Sequence, residues 1–331
     1  MKRLSIGLAV LGLVLDTALV GWFGLKGVVA ATLSIGWGGF VLITAWQAAL
    51  FVLLGAAWNS LLPRGRRSLP TAVAARLVRD AAGSCLPFSQ LGAFLLGARA
   101  MTLGGVPASL AASTTLVDVT AEFLGLIGFS AIGLIVLLAR APGSALAVPL
   151  AIGLAVAVAA GAGFIGVQRG AGRLFRALGR RLRGGWFDGA AARLDAVEAE
   201  LADLYANGAR LALAAVLHLL AWIGTGVGTW IALRLLGVPI DLASALALEA
   251  LLDGVLSLAF LVPGYAGVQE AGYASLGMVF GVPPEVAIGV SLLRRARDLA
   301  LGVPVLLVWQ AVEAGRLRRP KPRYRRNRPA Q

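Results

Sequence analysis

The sequence is poor in the residues from which disulfides, metal sites and phosphate-binding loops are built. It has one cysteine, Cys85, and one histidine, His218, among 331 residues. A single residue of each type excludes a disulfide within the chain and a zinc site made from Cys and His ligands. Lysine occurs at only three positions, and none follows the glycine spacing of a nucleotide-binding loop. We therefore expect no metal, no cofactor and no ATP hydrolysis.

Charged residues of either sign are also scarce. They make up 14% of the chain, against about 25% in typical soluble domains. Hydrophobic residues make up 59%, and the mean hydropathy is +0.84. Apolar runs of nearly 20 residues recur along the whole chain, and each is long enough to cross ~30 Å of hydrocarbon. The composition predicts an all-α, polytopic membrane protein, with the first run kept as a span rather than removed as a signal peptide.

The net charge of +14 comes from a few basic clusters. Six arginines fall in residues 169–183, and eight Lys or Arg residues fall in residues 316–328. Such clusters could bind nucleic acid, but clusters beside spans more often mark the cytoplasmic face and its anionic lipids. We expect anionic lipid head groups, and no nucleic acid, as partners of this face.

The positive-inside rule orders the spans in an inner (plasma) membrane. It places both termini and the segment Arg64–Arg79 in the cytoplasm, and the charge-poor connections near Arg140 and at 234–238 on the other side. The predicted spans are about 5–24, 38–62, 107–139, 145–168, 207–237 and 284–312. A basic cytoplasmic tail, residues 317–331, follows a membrane domain of residues 1–316.

The connector 169–206 between the fourth and fifth spans contains one amphipathic stretch. Its apolar residues recur at intervals of three and four, which is the helical repeat. Opposite them lies a charged face, so we predict a helix on the cytoplasmic surface. The apolar stripe consists of Leu194, Val197, Leu201 and Leu204.

Two segments of about 40 residues, 66–104 and 240–281, are interrupted by Pro and Gly and fit neither a loop nor a single span. An internal comparison relates them, because a shift of 176 residues aligns each with the other. Three pairs of prolines fall in one register under this shift. The matches are Trp46 with Trp222, Pro63 with Pro239, Pro87 with Pro263, and Gly105-Val106-Pro107 with Gly281-Val282-Pro283.

The span order makes these two copies inverted repeats, about 38–139 and 207–312. The first copy enters from outside and the second from the cytoplasm. Each interrupted segment then becomes a re-entrant hairpin, and the two are oppositely oriented. Irregular backbone at such depth must be buried in protein or line a wet cavity. Inverted repeats with broken helices place a substrate site where the copies meet.

Placing a charged residue inside the predicted spans and hairpins costs free energy, so such residues must pair with an opposite charge or face water. Under the 176-residue shift Asp118 corresponds to Arg294, and Glu122 corresponds to Asp298. We predict that Asp118 and Glu122 neutralise part of the arginine group on the other copy, and that a residual positive potential holds a lipid phosphate. That group consists of Arg294, Arg295 and Arg297.

Glu270 is the most unusual of these charges, because it follows Pro263-Gly264 and Gly267 in an apolar, broken segment. Two interpretations stand side by side. Glu270 titrates, or changes partner, as substrate moves, or it is half of a static ion pair that closes the hairpin. His218 likewise is either a functional intramembrane residue or a helix-to-helix hydrogen bond.

The stretch VPGYAGVQEAGYASLGMVFGVPPEVAIGVSLLRRARDL resembles the C-terminal signature of the flippase-like lysylphosphatidylglycerol synthase transmembrane family. Pro263, Gly267, Glu270, Gly281 and Arg294 or Arg295 occupy the places of that signature. SCLPFSQLGAFLLGARAM and STTLVDVTAEF resemble the corresponding first half, with Pro87, Gly92, Arg99 and Asp118 matching. The family's Gly-Gly-Asp after the first proline is Phe-Ser-Gln here, and its arginine after the aspartate is Val119.

The resemblance implies a membrane lipid translocase, and the opening GWGGFVLITAWQAALFVLLGAAWNSLLP looks most like hopanoid-biosynthesis-associated members. Synthases of the wider family add a soluble domain, whereas this chain ends in a basic tail, so we expect no synthase activity. The alternatives are a membrane-embedded enzyme that uses Glu270 and Asp118 as acid and base, or a scaffold for lipid-biosynthesis enzymes that docks through the connector and tail.

Overall fold

A computed structural model describes residues 25–86, 90–179, 185–259, 265 and 267–318. Within these ranges the regular structure is helical, with ten α-helices, one short 3-10 turn at Arg64–Arg66 and no strand. The helices are α1 Leu25–Leu61, α2 Leu69–Cys85, α3 Gln90–Leu103, α4 Ala108–Arg140, α5 Ala147–Gly179, α6 Gly185–Ala206, α7 Gly208–Leu235, α8 Leu242–Leu258, α9 Val268–Val279 and α10 Pro284–Arg318.

Five helices are long and apolar enough to cross a membrane. They coincide closely with the second to sixth predicted spans, so the chain is a multi-pass, all-α membrane protein as predicted. The predicted first span, residues 5–24, lies outside the described residues. The five stretches are Leu33–Leu61, Ala108–Arg140, Ala147–Gln168, Gly208–Leu235 and Pro284–Arg316.

Three Gly-Val-Pro sequences set the ends of α3, α7 and α9. Gly105, Gly237 and Gly281 have φ values of 91°, 81° and 76°, a left-handed conformation that glycine adopts without a Cβ clash. In each case the next residue's N–H reaches back to a carbonyl of the last turn, which is the Schellman arrangement. The proline that follows cannot continue the helix.

The two interrupted segments are each divided into two short helices, as the sequence predicts. Segment 66–104 forms α2 and α3, and segment 240–281 forms α8 and α9. None of the four has the ~20 residues that a straight crossing needs. The breaks themselves, at 87–89 and around 260–266, fall largely outside the described residues. The re-entrant course of these helices remains a prediction.

Helix contacts repeat between the two predicted copies. The contacts α2–α3, α4–α8 and α4–α7 have counterparts in α8–α9, α10–α2 and α10–α1. One apolar core, with Trp58 and Met101, lies within the first copy; another, with Leu248 and Tyr273, lies mainly within the second copy and also includes Leu137 of α4. These pairs are what a duplicated module would make, while the duplication and its inverted orientation remain predictions.

The predicted connector helix exists as α6, but its apolar stripe does not face lipid. Leu201, Leu204 and Tyr205 are buried against Leu61 of α1, Val117 of α4 and the start of α7. The stripe therefore attaches α6 to one end of the bundle. The expected contact of Leu201 and Leu204 with lipid is therefore corrected, because apolar residues of the protein cover them, while the cytoplasmic position of the helix remains a prediction.

Candidate functional site

A buried network of ion pairs joins α2, α4 and α7. We call it the first network, and it consists of Arg76, Arg79, Asp118, Glu122 and His218. The two arginines are three residues apart on α2, and the two carboxylates are four residues apart on α4. Both spacings place the paired side chains on one face of a helix, so two arginines meet two carboxylates.

Asp118 lies at the centre of the first network and has no exposed surface. Its carboxylate accepts hydrogen bonds from Arg79 Nη1 at 2.7 Å and Arg76 Nη1 at 3.3 Å. His218 Nε2 lies 3.0 Å from its other oxygen. Glu122 pairs with both arginines. Buried charges are tolerated when they are paired and hydrogen-bonded, and here Asp118 and Glu122 each have two arginines as partners. The predicted helix-to-helix hydrogen bond of His218 is confirmed.

Two further contacts connect the first network to its surroundings. Arg76 Nε lies 3.0 Å from Asp80, one turn further along α2. The Arg79 guanidinium lies 4.7 Å from the centre of the Phe94 ring, a cation–π distance.

Arg76 and Arg79 are buried, and the prediction that the whole segment 64–79 is a cytoplasmic charge cluster is wrong for them. Helix α2 leaves the surface after its first turn, so its second and third turns lie inside the protein.

A second network joins α7, α8, α9 and α10. Arg294 of α10 pairs with Glu249 and, at 2.9 Å, with Asp253, both on α8. Glu249 Oε2 also accepts hydrogen bonds from the hydroxyls of Thr229 and Tyr273, each at 2.7 Å. Glu249 has no exposed surface, and 4% of Asp253 is exposed. Two buried carboxylates therefore share one arginine.

The two networks occupy corresponding positions with the charges exchanged. In the first network the short helix α2 supplies the arginines and the long helix α4 the carboxylates. In the second, the short helix α8 supplies the carboxylates and α10 the arginine. Asp118 and Arg294, which correspond under the 176-residue shift, each lie ten residues after the start of their helix, or ~15 Å along it.

The predicted pairing across the two copies is wrong. Asp118 and Glu122 bind arginines of their own copy, and Arg294, Arg295 and Arg297 pair with Glu249 or Asp253, Glu270 and Asp298 respectively. The arginine side chains of α2 reach α4, and the Arg294 side chain reaches α8, so the charges are neutralised within each copy. The expected residual positive potential is also absent from the described networks, since carboxylates equal or outnumber arginines in both.

Glu270 and Gly267 come together at the start of α9. Gly267, with φ of 77°, donates its N–H to Glu270 Oε2 at 2.9 Å. Glu270 Oε1 accepts from Arg295 Nε at 2.9 Å and from Ser291 at 3.1 Å. These contacts match the interpretation of Glu270 as half of an ion pair, in which it also caps the helix.

The remaining predicted residues are dispersed. Pro87, Pro263 and Gly264 lie outside the described residues. Gly92 lies in the first turn of α3 and is half-buried. Arg99 is half-exposed and pairs with Glu313 of α10 at 2.8 Å, apart from both networks.

A small crevice opens between α1, α2 and α10, where helices of the two predicted copies meet. The wall is mostly apolar, and its polar groups are two half-buried carboxylates and one hydroxyl. The lining includes Phe51, Leu77, Leu301, Asp80, Ser84 and Asp298. Within the described part of the chain, no group of three or more His, Cys, Asp or Glu residues is placed to hold a metal ion.

Sequence reasoning missed Arg76 and Arg79 as site residues, and it did not pair Glu249 and Asp253 with Arg294. A signal was present in both cases. Glu249 and Asp253 have the same four-residue spacing as Asp118 and Glu122, and the two arginines lie on a face of α2 made of small residues. That face contains Ala72, Ala75 and Ala82, all without exposed surface.

Comparison with known proteins agrees with this architecture. A family model described as the lysylphosphatidylglycerol synthase TM region matches residues 4–305. No curated protein and no solved structure shows a significant match to the chain. The matched range includes every residue of both networks, and among the described residues only the last part of α10 lies beyond it. The chain belongs to the lysylphosphatidylglycerol synthase TM region family.

Proposed function

We propose that the protein is a flippase-like lipid translocase of the inner membrane, not an enzyme, with both termini in the cytoplasm. One observation carries the proposal. Two buried ion-pair networks connect each short helix of an interrupted segment to the long helix of its own copy, in corresponding positions and with exchanged charges. Membership of a family that describes a lipid synthase's membrane region supports a lipid as the substrate.

The cost of the networks favours a moving part over a static one. Each charge at the bilayer centre costs at least about 2.5–3.5 kcal/mol on insertion scales. A buried ion pair often contributes no more stability than an apolar pair of similar size. Ion pairs that break and re-form in two arrangements, however, are a common element of conformational switching. We infer that the networks open and close alternately, so that the site is reached from one side of the membrane at a time.

The crevice between α1, α2 and α10 is the candidate path for the lipid. Its apolar wall suits a hydrocarbon body, which could remain in the bilayer. Asp80, Ser84 and Asp298 offer acceptors to the head group. Carboxylates favour hydroxyl or ammonium groups over a phosphate, so the charge balance revises the phosphate that the sequence suggested. A hydroxylated or amino-substituted lipid of the hopanoid type fits this chemistry and the resemblance of residues 36–63 to hopanoid-associated proteins.

The test is movement of a labelled lipid between leaflets of liposomes that contain only the purified protein. Asp298→Asn keeps the shape of the side chain but weakens its hydrogen bonds to head-group donors, which are worth about 1.5–3 kcal/mol with a charged partner. We expect movement to slow by about tenfold or more. Asp241→Asn, at an exposed carboxylate outside the crevice, is the matched control and should leave movement unchanged.

Other results would support other functions. No acceleration by the wild-type protein over empty liposomes would overturn the translocase. Chemical conversion of the lipid would indicate an enzyme, although Asp118 and Glu270 belong to separate ion-pair groups and so do not form an acid–base pair. A requirement for the basic tail in binding lipid-biosynthesis enzymes, with no lipid movement, would indicate a scaffold.

A further inference from the structure

We propose that Asp253 binds and releases a proton, and that this proton is the ion coupled to lipid movement. The inference rests on the proposed translocase function for its coupling role, while the proton site itself stands on the geometry of the second network. There, Glu249 and Asp253 share Arg294 alone. The first network, by contrast, sets two arginines against Asp118 and Glu122.

The hydrogen bonds of the second network show which of its two carboxylates lacks a hydrogen-bond donor. Both oxygens of Glu249 are engaged, by Arg294 on one side and by Thr229 and Tyr273 on the other. Asp253 has one oxygen, Oδ1, 2.9 Å from Arg294 Nη2. Its second oxygen, Oδ2, is buried and has no hydrogen-bond partner among the described residues. A buried carboxylate oxygen without a donor is costly when ionised, and a proton on Oδ2 lowers that cost because it removes the charge.

The groups around Asp253 do not supply a second positive charge of their own. Arg297 of α10 is near enough to interact with Asp253, but it donates two hydrogen bonds to Asp298. The phenols that face the network come from the turn before α9 and from α9 itself, and Ser130 of α4 contributes a neutral hydroxyl next to α8. The charged and titratable groups facing the site are Glu249, Arg294, Arg297, Tyr265 and Tyr273.

A proton fits this site better than a metal cation does. Metal ions such as Ca²⁺ and Mg²⁺ need six or more oxygen ligands, whereas Oδ2 is the one orphaned carboxylate oxygen of the network. Arg294 would also repel a metal ion placed against it. The proton comes from water, binds Oδ2 as an O–H group, and returns to water on release. Bound, it leaves Glu249 and Arg294 as a balanced pair; released, it makes Asp253 compete with Glu249 for Arg294.

The first measurement is independent of transport. Infrared difference spectra of the wild-type protein between acidic and alkaline pH should contain the C=O band of a protonated carboxyl group. We expect Asp253→Asn to lose one such band. Asp241→Asn, a control at the exposed start of the same helix, should keep it.

A second variant, Glu249→Gln, removes the other negative charge that shares Arg294. Asp253 alone then balances Arg294, so it should become ionised at neutral pH and lose its band there. An unchanged spectrum in both Asp253→Asn and Glu249→Gln would overturn the proton site, and Glu249→Gln decides the question if Asp253→Asn does not fold.

The second measurement separates the site from its coupling role. In liposomes, a pH gradient should change the rate of lipid movement by the wild-type protein and by Asp241→Asn, and Asp253→Asn should move lipid without responding to the gradient. A gradient response retained by Asp253→Asn, or a response to a sodium gradient in its place, would overturn the coupling. A wild-type carboxyl band together with no lipid movement would keep the proton site and reject the translocase.

Discussion

At the scale of single residues, we expect Arg79 to contribute strongly to stability, because the first network has only two arginines for Asp118 and Glu122. Replacing it in Arg79→Met leaves Asp118 and Glu122 with Arg76 as their shared arginine, and removing one partner of a buried pair typically costs about 3–5 kcal/mol. Arg99→Met removes an arginine that is 50% exposed and pairs with Glu313, so it should cost less than about 1 kcal/mol. Equilibrium unfolding in mixed micelles measures both, and similar losses in the two variants would contradict the role of the network.

Tyr273 and Tyr205 offer a matched comparison of buried phenols. Tyr273 donates to the Glu249 carboxylate and Tyr205 to the neutral amide oxygen of Gln168, each at 2.7 Å. A hydrogen bond to a charged group is the stronger kind, and an orphaned buried acceptor costs about 1–3 kcal/mol. We expect Tyr273→Phe to lower the free energy of unfolding by about 1 kcal/mol more than Tyr205→Phe. Equal effects would mean that Glu249 does not depend on this donor.

That Asp118 and Glu122 are buried charges could be predicted from the sequence, but their partners Arg76 and Arg79 could not. The spacing of Asp118 and Glu122 fixes the face of α4 on which they lie. It does not say whether α2 or α10 covers that face, because both helices carry arginines at suitable spacing. The partner depends on how the short helix packs beside its neighbour, which is a property of the folded backbone.

At the scale of elements, a glycine contact determines how closely α1 and α2 approach. A Cβ atom at Gly55 would lie 2.7 Å from Val73 Cα and 2.8 Å from Val73 N. Because these are backbone atoms, the helices would have to separate, and overpacking of this kind costs about 1–3 kcal/mol. Gly55→Ala should therefore destabilise the protein.

Gly153 of α5 is the control for this prediction, since a Cβ there meets nothing within 4 Å. Gly153→Ala should be neutral or stabilise the protein by up to about 1 kcal/mol through helix propensity. Thermal unfolding in detergent compares the two variants, and a Gly55→Ala protein as stable as the wild type would refute the close approach.

The start of α8 depends on Asp241. Its carboxylate accepts from the Ser244 hydroxyl at 2.8 Å and from the Ser244 N–H at 3.1 Å. The hydroxyl bond, followed by the N–H bond and the charge of Arg140, holds the pKa of Asp241 below its ordinary value. Asp241→Ala removes the cap and should cost about 0.5–2 kcal/mol near neutral pH.

The pH dependence of this cap follows from the direction of the pKa shift. A carboxyl group whose pKa is lowered in the folded state stabilises the protein fully above its unfolded pKa of about 4. That contribution is lost as pH falls through the folded pKa. The stability difference between wild type and Asp241→Ala should therefore shrink in acid, and a difference that grew there would contradict the cap. Because Asp241 is about half-exposed, solvent screening keeps the effect small.

The elements themselves were largely predictable. The length of the apolar runs predicted the five spans that the structure describes. Proline and glycine residues predicted where the two interrupted segments break. What covers the apolar stripe of α6 was mispredicted, because such a stripe has the same periodicity whether lipid or protein covers it. Leu201 and Leu204 meet α1 and α4, and this is decided by the path of the chain after α5.

At the scale of the whole molecule, helix-end contacts bear on the predicted orientation. Arg140 at the end of α4 pairs with Asp241 at the start of α8, and Arg316 near the end of α10 donates to the Leu103 carbonyl at the end of α3. The predicted topology places the first pair outside and the second in the cytoplasm. Both contacts therefore join segments that the topology puts on the same side of the membrane.

Cysteine labelling tests the orientation directly. The one native cysteine, Cys85, is buried, so the background should be low. Gly143 lies in the exposed turn between α4 and α5, and Gly65 lies exposed after α1. In intact cells with accessible inner membranes, a membrane-impermeant maleimide should label Gly143→Cys. Gly65→Cys should react only after permeabilisation, and the reverse pattern would contradict the predicted topology.

The exchanged charges of the two networks have an electrical consequence. The short helix α2 carries arginines and the short helix α8 carries carboxylates. If inverted copies rock past one another, α2 and α8 travel in opposite directions along the membrane normal. Positive charge moving one way and negative charge moving the other add to a current of one sign. The membrane voltage, worth about 2.3 kcal/mol per elementary charge for each 100 mV, would then favour one of the two conformations.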